Sequence, residues 1–393
     1  MKLAYIYFTN VEKNEANIYQ MFNMLPAFSE IVEVSYFLPF VRKKRLNEIM
    51  GGLPYSFDKL KLVDTHVPYF DKINFFEKLG RLLYFMHIHY WELKNYTHIY
   101  TRDISLLYYL SKLPNRLKPK QKIIYEAHKI YFESSKKVSK EIEAAAIKYA
   151  DICIAISDGI KHDLVDIFDF DEKNIHVFAN SINPEEFMFD SLNKDFIKSK
   201  FKIPLNKKIL TYTGSFLDWK GVDILAEAIN QCKRTDIFFL LVGGEGKSFS
   251  AIKNSLSEKI NSGLSMVLPK QQISIVRELL AISDIAFLPN RSMKESIRYT
   301  SPIKLFEYLA SGLPVISSDL PSIRSIISEE NGYFFQPDTP HSLVKTIEQA
   351  LSDRENWSNI SKRNLALVEE NSWENRAKSI IDFVEESDRN DEQ

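Results

Sequence analysis

Two lysines and one glutamate are spaced so that they could hold an anion that carries hydroxyl groups. Lys304 and Glu307 lie three residues apart in a predicted helix. Lys220 lies in the predicted first turn of another helix, where Asp218 can serve as the cap. A cation at a helix start opposes the helix dipole unless an anion binds there, and free backbone N–H groups at a helix start bind anions well. The pattern therefore predicts that Lys220 and Lys304 share one diphosphate, with Glu307 accepting hydrogen bonds from the attached hydroxyls.

The helix that carries Lys304 is predicted from Ser301 to just before Gly312, and a buried strand follows it. Ser301 is a good N-cap, Pro302 suits the first helical position, and Gly312 suits the position after the helix end. An apolar stripe runs along this helix and consists of Leu305, Phe306 and Leu309. The alternative to an anion site is a surface Lys304–Glu307 ion pair, which would contribute only about 0.2–0.5 kcal/mol.

The run Ser-Pro-Ile-Lys-Leu-Phe-Glu-Tyr at 301–308, continued by Leu-Ala-Ser-Gly-Leu-Pro-Val-Ile, resembles the donor-binding motif of retaining family 4 glycosyltransferases. Stretches on both sides are similar to the same family and cover most of the chain. The resemblance implies the α/β fold named GT-B, in which two Rossmann-like parallel-sheet domains face each other across a cleft and a C-terminal helix returns to the N-terminal domain. It also implies that the helix start holds the diphosphate of a nucleotide-sugar and that Glu307 holds the ribose. Many members carry a glutamate that contacts the donor sugar eight residues earlier, where this chain has Tyr299, so that contact does not carry over.

The resemblance extends to the turn that contains Lys220, since the family's lysine at this point contacts phosphate. An arginine common in relatives is replaced here by Ser215-Phe-Leu, so phosphate binding depends more on Lys220 and on backbone amides. Gly243 opens a glycine-rich turn after a predicted strand, although any tight turn also needs glycine. The predicted donor-binding residues are Gly214, Ser215, Lys220, Gly243, Ser301, Pro302, Ile303, Lys304, Leu305 and Glu307. The predicted catalytic residues are His128, Lys220 and Glu307.

Polar residues in the N-terminal half follow predicted strands at one edge of a sheet. Arg102 ends one strand, and Glu126 and His128 end another. Parallel α/β sheets bind ligands beyond the carboxyl ends of their strands. The Tyr-Glu-Ala-His run at 125–128 resembles a family stretch whose His faces the reacting sugar, and Asn17 resembles an Asn near the sugar cleft. A capping role for Asn17 and a structural role for His128 are the alternatives. The predicted acceptor or sugar-cleft residues are Asn17, Arg102, Glu126, His128 and Tyr299.

The length of 393 residues predicts two domains. We expect an acceptor-binding domain at 1–190, a polar linker at Asp190–Asn206, and a nucleotide-sugar-binding domain at 206–368. Residues 369–393 are predicted as a terminal helix that packs on the N-terminal domain, followed by an acidic tail, disordered from Glu385. Only two cysteines occur, which favours a reducing cytosol over a disulfide framework.

Charge is divided unevenly along the chain, because residues 1–150 hold 23 Lys and Arg against 15 Asp and Glu. Arg42-Lys-Lys-Arg45 and the aromatic helix predicted within Phe70–Lys94 could dock on an anionic membrane surface. A core-packing helix beside solvated charge is the alternative. No nucleic-acid motif accompanies the cluster, and no apolar run approaches the ~20 residues that span a bilayer. We expect a cytoplasmic protein, with peripheral contact at the inner face of the membrane as a variant of that expectation.

The motifs together predict the chemistry. No His, Asp or Glu cluster has metal-ligand spacing, and no pair of hydrolase-like carboxylates is evident. Preorganised positive charge would stabilise a departing nucleoside diphosphate. We predict a metal-independent glycosyltransferase without a cofactor, retaining by resemblance, that transfers a sugar to a glycan, lipid-linked or other hydroxyl acceptor in polysaccharide or glycoconjugate biosynthesis. A nucleotide-sugar epimerase or hydrolase and a non-catalytic nucleotide-sugar-binding protein remain the alternatives.

Overall fold

A computed structural model describes residues 1–8, 16–38, 57–67, 75–134, 138–188 and 193–391. The chain forms two compact units: unit 1 comprises Met1–Ala179 with Trp373–Gln393, and unit 2 comprises Asn180–Ser372. Unit 2 is therefore inserted into the chain of unit 1. It begins at Asn180 rather than at residue 206, and the predicted linker carries the helix Lys194–Lys200 inside unit 2.

Unit 1 is built on a parallel sheet, as the short Ile-, Val- and Tyr-rich runs predict. Its strand order is β3-β2-β1-β4-β5-β6-β7. The strands are β1 Lys2–Ile6, β2 Glu33–Leu38, β3 Lys61–Asp64, β4 His98–Thr101, β5 Lys122–Ala127, β6 Ile152–Ala155 and β7 Ile175–Val177. The edge strand β3 was not predicted, because only one of its four residues is buried and it lacks an apolar pattern.

Helices connect these strands and cover the sheet. They are α1 Ala16–Ser29, α2 Phe75–Leu93, α3 Ile104–Lys112, α4 Tyr131–Ser134, α5 Lys140–Ile147 and α6 Asp158–Phe168. Asp103 caps α3 by accepting hydrogen bonds from the backbone N–H groups of Ser105 and Leu106. The predicted basic cluster Arg42–Arg45 lies outside the described residues, as do residues 70–74 of the predicted aromatic helix.

The terminal helix of unit 1, which we label α17, spans Trp373–Asp391. Its apolar residues recur every three or four positions and are buried against α1: Trp373, Ala377, Ile380, Ile381 and Val384. The prediction of a disordered tail from Glu385 was wrong. Asp388 lies 2.8 Å from the Lys122 ammonium group and 3.1 Å from the His98 ring, and these contacts hold the last turns of the helix.

Unit 2 has a second parallel sheet, with the order β10-β9-β8-β11-β12-β13. Its strands are β8 Lys208–Thr213, β9 Ile237–Gly244, β10 Ser265–Pro269, β11 Ile285–Leu288, β12 Val315–Ser318 and β13 Gly332–Phe335. Its helices are α7 Lys194–Lys200, α8 Val222–Gln231, α9 Gly246–Ser255, α10 Ser257–Asn261, α11 Ile273–Ala281, α12 Lys294–Arg298, α13 Ile303–Ala310, α14 Pro321–Arg324, α15 Pro340–Ser352 and α16 Trp357–Glu370. The chain therefore contains two α/β units with parallel sheets, as predicted. None of the described helices is both long enough and apolar enough to span a membrane.

Candidate functional site

Helix α13 carries the lysine and glutamate on which the predicted anion site depends. Leu305, Phe306 and Leu309 are buried, so the predicted apolar stripe is confirmed. The Lys304 ammonium group lies 2.8 Å from one carboxylate oxygen of Glu307 and 3.1 Å from the other, and this carboxylate is almost completely buried. Lys304 therefore forms the ion pair that was the alternative prediction, but with a buried carboxylate rather than at the surface. The pair does not exclude an anion, because the ammonium group can turn toward one while Glu307 accepts other hydrogen bonds.

The prediction that Ser301 caps this helix was wrong. Pro302 occupies the N-cap position, and no side chain in the described part of the chain caps α13. The Ser301 hydroxyl instead accepts a hydrogen bond from the Asn180 backbone N–H at 2.8 Å, and the Asn180 amide donates to the Ser301 carbonyl at 2.6 Å. These two bonds anchor the start of α13, and its first backbone N–H groups are left without a side-chain cap. The predicted end is confirmed, since Gly312 follows the helix with φ of 67°.

Lys220 lies on a short segment rather than in the predicted helix turn. Asp218–Lys220 form one 3-10 turn, Gly221 follows with φ of 63°, and α8 begins only at Val222. Asp218 therefore does not cap α8, and Gly221 takes that position. A Cβ atom on Gly221 would lie 1.9 Å from the Pro289 carbonyl oxygen, so the close approach of these two loops requires glycine.

Burial lowers the pKa of Lys220 to about 7, and the positive charge of Lys304 lowers it further. The influence of Lys304 on this pKa means that the two ammonium groups share one neighbourhood. The Lys220 ammonium also lies 3.8 Å above the Trp219 ring. An anion bound beside Lys220 would stabilise its charged form, because the anion would offset both the lost hydration and the positive charge of Lys304.

Glycines line the carboxyl ends of β8 and β9 beside these lysines. Gly214 has φ of 151° and Gly243 has φ of 127°, and a Cβ atom on Gly243 would lie 2.1 Å from the Gly214 carbonyl oxygen. The hydroxyl of Tyr308 on α13 donates to the Thr213 carbonyl at 3.0 Å and accepts from the Thr213 N–H at 2.9 Å. This pair of bonds holds α13 against the end of β8, so the predicted donor residues of unit 2 gather at one edge of its sheet.

The remaining predicted residues of unit 2 lie at the same edge. Ser215 is exposed, and its carbonyl accepts a hydrogen bond from the Tyr212 hydroxyl at 2.8 Å. Tyr299 is buried at the end of α12, with the Lys294 ammonium 5.9 Å from the centre of its ring. Asn290, which was not predicted, is fully buried just after β11, and its amide makes no hydrogen bond with another described residue. Asn290 is therefore a further candidate for ligand contact.

Unit 1 brings its predicted residues together in a buried charged cluster. The Arg102 guanidinium donates to the Asn17 carbonyl at 3.2 Å, lies 3.4 Å from the Glu126 carboxylate, and contacts the His128 ring. Glu126 also accepts a hydrogen bond from the Tyr100 hydroxyl at 2.8 Å. The Asn17 side chain donates to the hydroxyl of Tyr7 at 3.3 Å rather than capping α1.

The protonation states in this cluster follow from its charges. Burial lowers the pKa of His128 to about 4, and the Arg102 charge adds to this effect against the opposing pull of Glu126. Burial alone would raise the pKa of Glu126, but Arg102 and Arg376 outweigh it and hold that pKa well below its ordinary range. At neutral pH the cluster therefore contains a neutral imidazole beside an ionised carboxylate. Because the His128 side chain is 22% exposed, its ring can reach a ligand.

Arg376 completes the cluster and was not among the predicted residues. From α17 it donates to the Glu126 carboxylate at 2.7 Å and to the Ala179 carbonyl at 2.8 Å. A signal was present in the sequence, because Arg376 falls among the apolar positions of α17, between Trp373 and Ala377. A charged residue on the buried face of a helix needs a partner in the core.

Part of this chain is similar in sequence to known glycosyltransferases. Residues 193–366, all within unit 2, match the family described as "Glycosyl transferases group 1". An uncharacterised glycosyltransferase of Methanocaldococcus jannaschii is 23% identical over 218 residues, which cover 54% of each chain. The protein TuaC of Bacillus subtilis, named as a teichuronic acid biosynthesis glycosyltransferase, is 24% identical over 202 residues, 51% of this chain and 47% of TuaC. The chain thus spans about half the length of the curated relatives it matches.

Among solved structures, HepE of Anabaena in complex with UDP is similar over 98% of this chain and 100% of HepE. The TM-score is 0.76 and the sequence identity is 14%. A likeness at this identity shows the fold, which is GT-B, and the predicted fold class is thereby confirmed.

Proposed function

We propose that this chain, which carries a glycosyl transferases group 1 segment at residues 193–366, is a retaining glycosyltransferase that uses a nucleotide-sugar donor. The observation that carries the proposal is the uncapped start of α13, which carries Lys304 in its first turn, with Lys220 close enough for the Lys304 charge to lower its pKa. Two neighbouring ammonium groups suit a ligand with two adjacent phosphates. The UDP complex of HepE, a protein of the same fold, is consistent with such a ligand.

Binding of the donor would use the groups at the carboxyl edge of the unit 2 sheet. The diphosphate would contact Lys220, the ammonium of Lys304, and the backbone N–H groups at the start of α13. Once Lys304 turns toward phosphate, Glu307 would lose an ion-pair partner and accept hydrogen bonds from the ribose hydroxyls instead. Gly214 and Gly243 would let the backbone approach the ligand closely, as their missing side chains allow.

The transfer step we propose breaks the bond between the anomeric carbon and the donor phosphate oxygen and forms a bond from that carbon to an acceptor oxygen. The electron pair of the broken bond goes to the leaving diphosphate, whose charge the two lysines stabilise. The acceptor attacks the face from which the diphosphate leaves, so the anomeric configuration is retained. The departing phosphate takes the acceptor's proton. Because two ammonium groups supply positive charge, we propose that the reaction proceeds without a metal ion.

Residues of the unit 1 cluster would serve the transferred sugar or the acceptor. A neutral His128 can donate one hydrogen bond and accept another, which suits a sugar hydroxyl. Glu126 and the two arginines would hold its ring in place. The acceptor we propose is a glycan, a lipid-linked sugar or another hydroxyl compound in polysaccharide or glycoconjugate biosynthesis, in line with the name of TuaC.

Incubation with labelled UDP-, GDP- and ADP-sugars in the presence of EDTA tests the proposal. Diphosphate release that requires an acceptor, together with a product of unchanged anomeric configuration, supports it. Release without any acceptor indicates an epimerase or hydrolase, and binding without release indicates a non-catalytic protein. Activity lost in EDTA and restored by a divalent cation would contradict the metal-independent mechanism.

A matched pair of variants locates the site. Lys220→Met should abolish release, whereas Lys345→Met should leave it unchanged, because Lys345 lies on the exposed side of α15. Equal activity in both variants would remove Lys220 from the mechanism.

A further inference from the structure

Helix α2 of unit 1 exposes a stripe of large apolar side chains, which we call the α2 face. It consists of Leu83, Tyr84, Ile88 and Trp91, which are 42%, 50%, 39% and 73% exposed. These positions follow helical spacing and lie on one side of the helix, and the exposed His87 lies among them. The opposite side packs into unit 1 through Leu82, Phe85, Met86 and His89. The helix is therefore apolar on both sides, although its attachment to the sheet needs only one.

Exposed apolar side chains occur singly on most proteins, but a contiguous patch marks an interaction surface. In unit 2, the exposed large apolar residues include Phe196, Leu217, Ile273 and Met293, and they are scattered over different segments. The α2 face differs because four such residues share three turns of a single helix. A contiguous apolar surface of this kind indicates that a partner or a membrane covers it.

Basic side chains gather at the C-terminal end of the same helix, and we call them the basic rim. The residue that ends α2, Leu93, accepts a hydrogen bond from the Gln121 side chain at 2.9 Å, so the loop before β5 lies beside this helix end. The basic rim comprises Lys94, Lys112, Arg116, Lys118 and Lys120, and all but the half-buried Lys118 are exposed.

Acidic residues are few in the part of the chain that carries the α2 face and the basic rim, and two of them already have partners. Residues 75–122 hold nine Lys and Arg against three Asp and Glu. Of the acidic three, Glu92 pairs with Lys61 at 2.9 Å and with His89 at 3.1 Å. Asp103 caps α3 through its side chain. The segment from α2 to the start of β5 therefore carries a net positive charge, even though Arg102 pairs with Glu126 and Lys122 pairs with Asp388.

The lysines of the basic rim lie along aromatic rings. The Lys94 ammonium is 3.9 Å from the centre of the Trp91 ring and 4.5 Å from that of Tyr90. Lys112 lies 5.3 Å from the ring centre of Tyr108. An ammonium group over an aromatic ring makes a cation–π contact. Trp and Tyr are enriched at the boundary between hydrocarbon and water, where long cationic side chains reach the lipid headgroups.

We propose that the α2 face and the basic rim together dock on the surface of a membrane that contains anionic phospholipid. Helix α2 would lie parallel to the bilayer plane, with Ile88 and Trp91 among the acyl chains and Lys94 at the lipid phosphates. Charge complementarity favours this occupant over a second copy of the chain, because anionic lipid would neutralise the basic rim, whereas a second copy would add the same positive charge to the interface. The proposal concerns attachment and does not depend on glycosyl transfer.

Vesicle sedimentation tests the proposal with the full chain. The unmodified protein should bind vesicles of phosphatidylcholine with phosphatidylglycerol, bind phosphatidylcholine alone weakly, and lose binding as salt rises. The Ile88→Gln/Trp91→Gln variant should bind the anionic vesicles about tenfold more weakly or worse, since its apolar area is lost. The control Phe196→Gln/Leu205→Gln changes two exposed apolar residues of unit 2, 67% and 55% exposed, and should bind like the unmodified protein.

A second measurement remains informative if the double variant folds poorly. Brominated phospholipid in the anionic vesicles should quench tryptophan emission of the unmodified protein. The conservative change Trp91→Phe should remove most of this quenching, because Trp373 is buried and Trp219 and Trp357 lie in unit 2.

Three results would overturn the proposal. The first is no binding to anionic vesicles at low salt. The second is binding that the Ile88→Gln/Trp91→Gln variant retains in full, because the α2 face would then have no part in it. The third is a dimer that this variant abolishes, in a protein that does not bind vesicles, because the occupant would then be a second copy.

Discussion

Lys220 should make nucleotide binding depend on pH. Burial and the charge of Lys304 lower its pKa to about 7 in the free protein, so above pH 7 most molecules carry a neutral Lys220. A bound diphosphate supplies the missing counter-charge, and the pKa of Lys220 should return toward its ordinary value of about 10.4. Binding above pH 7 must then take up a proton, and affinity must fall as pH rises.

The size of the effect follows from the two pKa values. With a pKa of about 7 in the free protein, the fraction of protonated Lys220 falls by up to about 80-fold between pH 7.5 and pH 9.5. The affinity for a nucleoside diphosphate should fall by the same factor, which corresponds to about 2.6 kcal/mol. The slope should approach tenfold per pH unit above pH 8.

Isothermal titration calorimetry measures both quantities. Whichever of UDP, GDP or ADP binds is titrated at several pH values, in pairs of buffers with different ionisation enthalpies, which gives the number of protons taken up. Lys220→Met should bind more weakly at pH 7 and show no fall above pH 7.5. In Lys304→Met, loss of the neighbouring charge should raise the pKa of Lys220 and move the fall to higher pH.

The stability of the free protein should change with pH in the opposite direction to its affinity for the nucleotide. Between pH 7 and about pH 10.4 the unfolded chain keeps a proton on Lys220 that the folded chain has released, so the free energy of unfolding rises with pH across this window. Below pH 7 both states are charged, and the folded protein bears the full cost of a half-buried cation. Lys220→Met should therefore raise the free energy of unfolding at pH 6. Affinity that stays flat from pH 7.5 to 9.5, or that falls equally in Lys220→Met, would refute this reasoning.

Three further predictions concern single side chains. His128→Ala should cut turnover by about 10²-fold or more while affinity for the free nucleoside diphosphate stays within about twofold, and normal turnover in a destabilised variant would show that His128 is structural. Arg376→Ala should lower the free energy of unfolding by about 3–5 kcal/mol in urea titrations, because it leaves a buried carboxylate short of a partner; a change below about 1 kcal/mol would contradict the importance of this ion pair. Gly243→Ala should destabilise unit 2 by at least about 1–3 kcal/mol in the same assay, since its new methyl group would meet the Gly214 carbonyl. Gly80→Ala is the control, because nothing lies within 4 Å of the new methyl group, and it should be neutral or stabilising.

Local spacing was sufficient to predict the polar strand ends of unit 1 and the helix that carries Lys304. Arg102 follows β4 directly, Glu126 lies at the end of β5, and Gly312 ends α13 as expected. These features depend on residues within a few positions of one another, such as an apolar run or a glycine after a helix. The same holds for the sheet edges, because strand ends in a parallel sheet fall on one side.

Contacts between distant residues decided the features that were predicted wrongly or not at all. Ser301 has the chemistry of a cap, but its hydroxyl is taken by Asn180, which is 121 residues away. Asp218 has the same chemistry, but Gly221 must pass close to the Pro289 carbonyl, and the helix therefore starts after it. The spacing of residues along the chain does not show which distant residues become neighbours. For the same reason it could not show that Arg376 contacts Glu126.

The insertion of unit 2 into unit 1 has a consequence for synthesis on the ribosome. Unit 2 is one continuous stretch, Asn180–Ser372, and its core can close as soon as that stretch has emerged. Unit 1 must wait, because Trp373 and the rest of α17 form part of its core and are made only after unit 2. During that interval the apolar surface of α1 has no cover and the Glu126 carboxylate lacks Arg376. The N-terminal part of the nascent chain should therefore be the part that engages chaperones, even though it is made first.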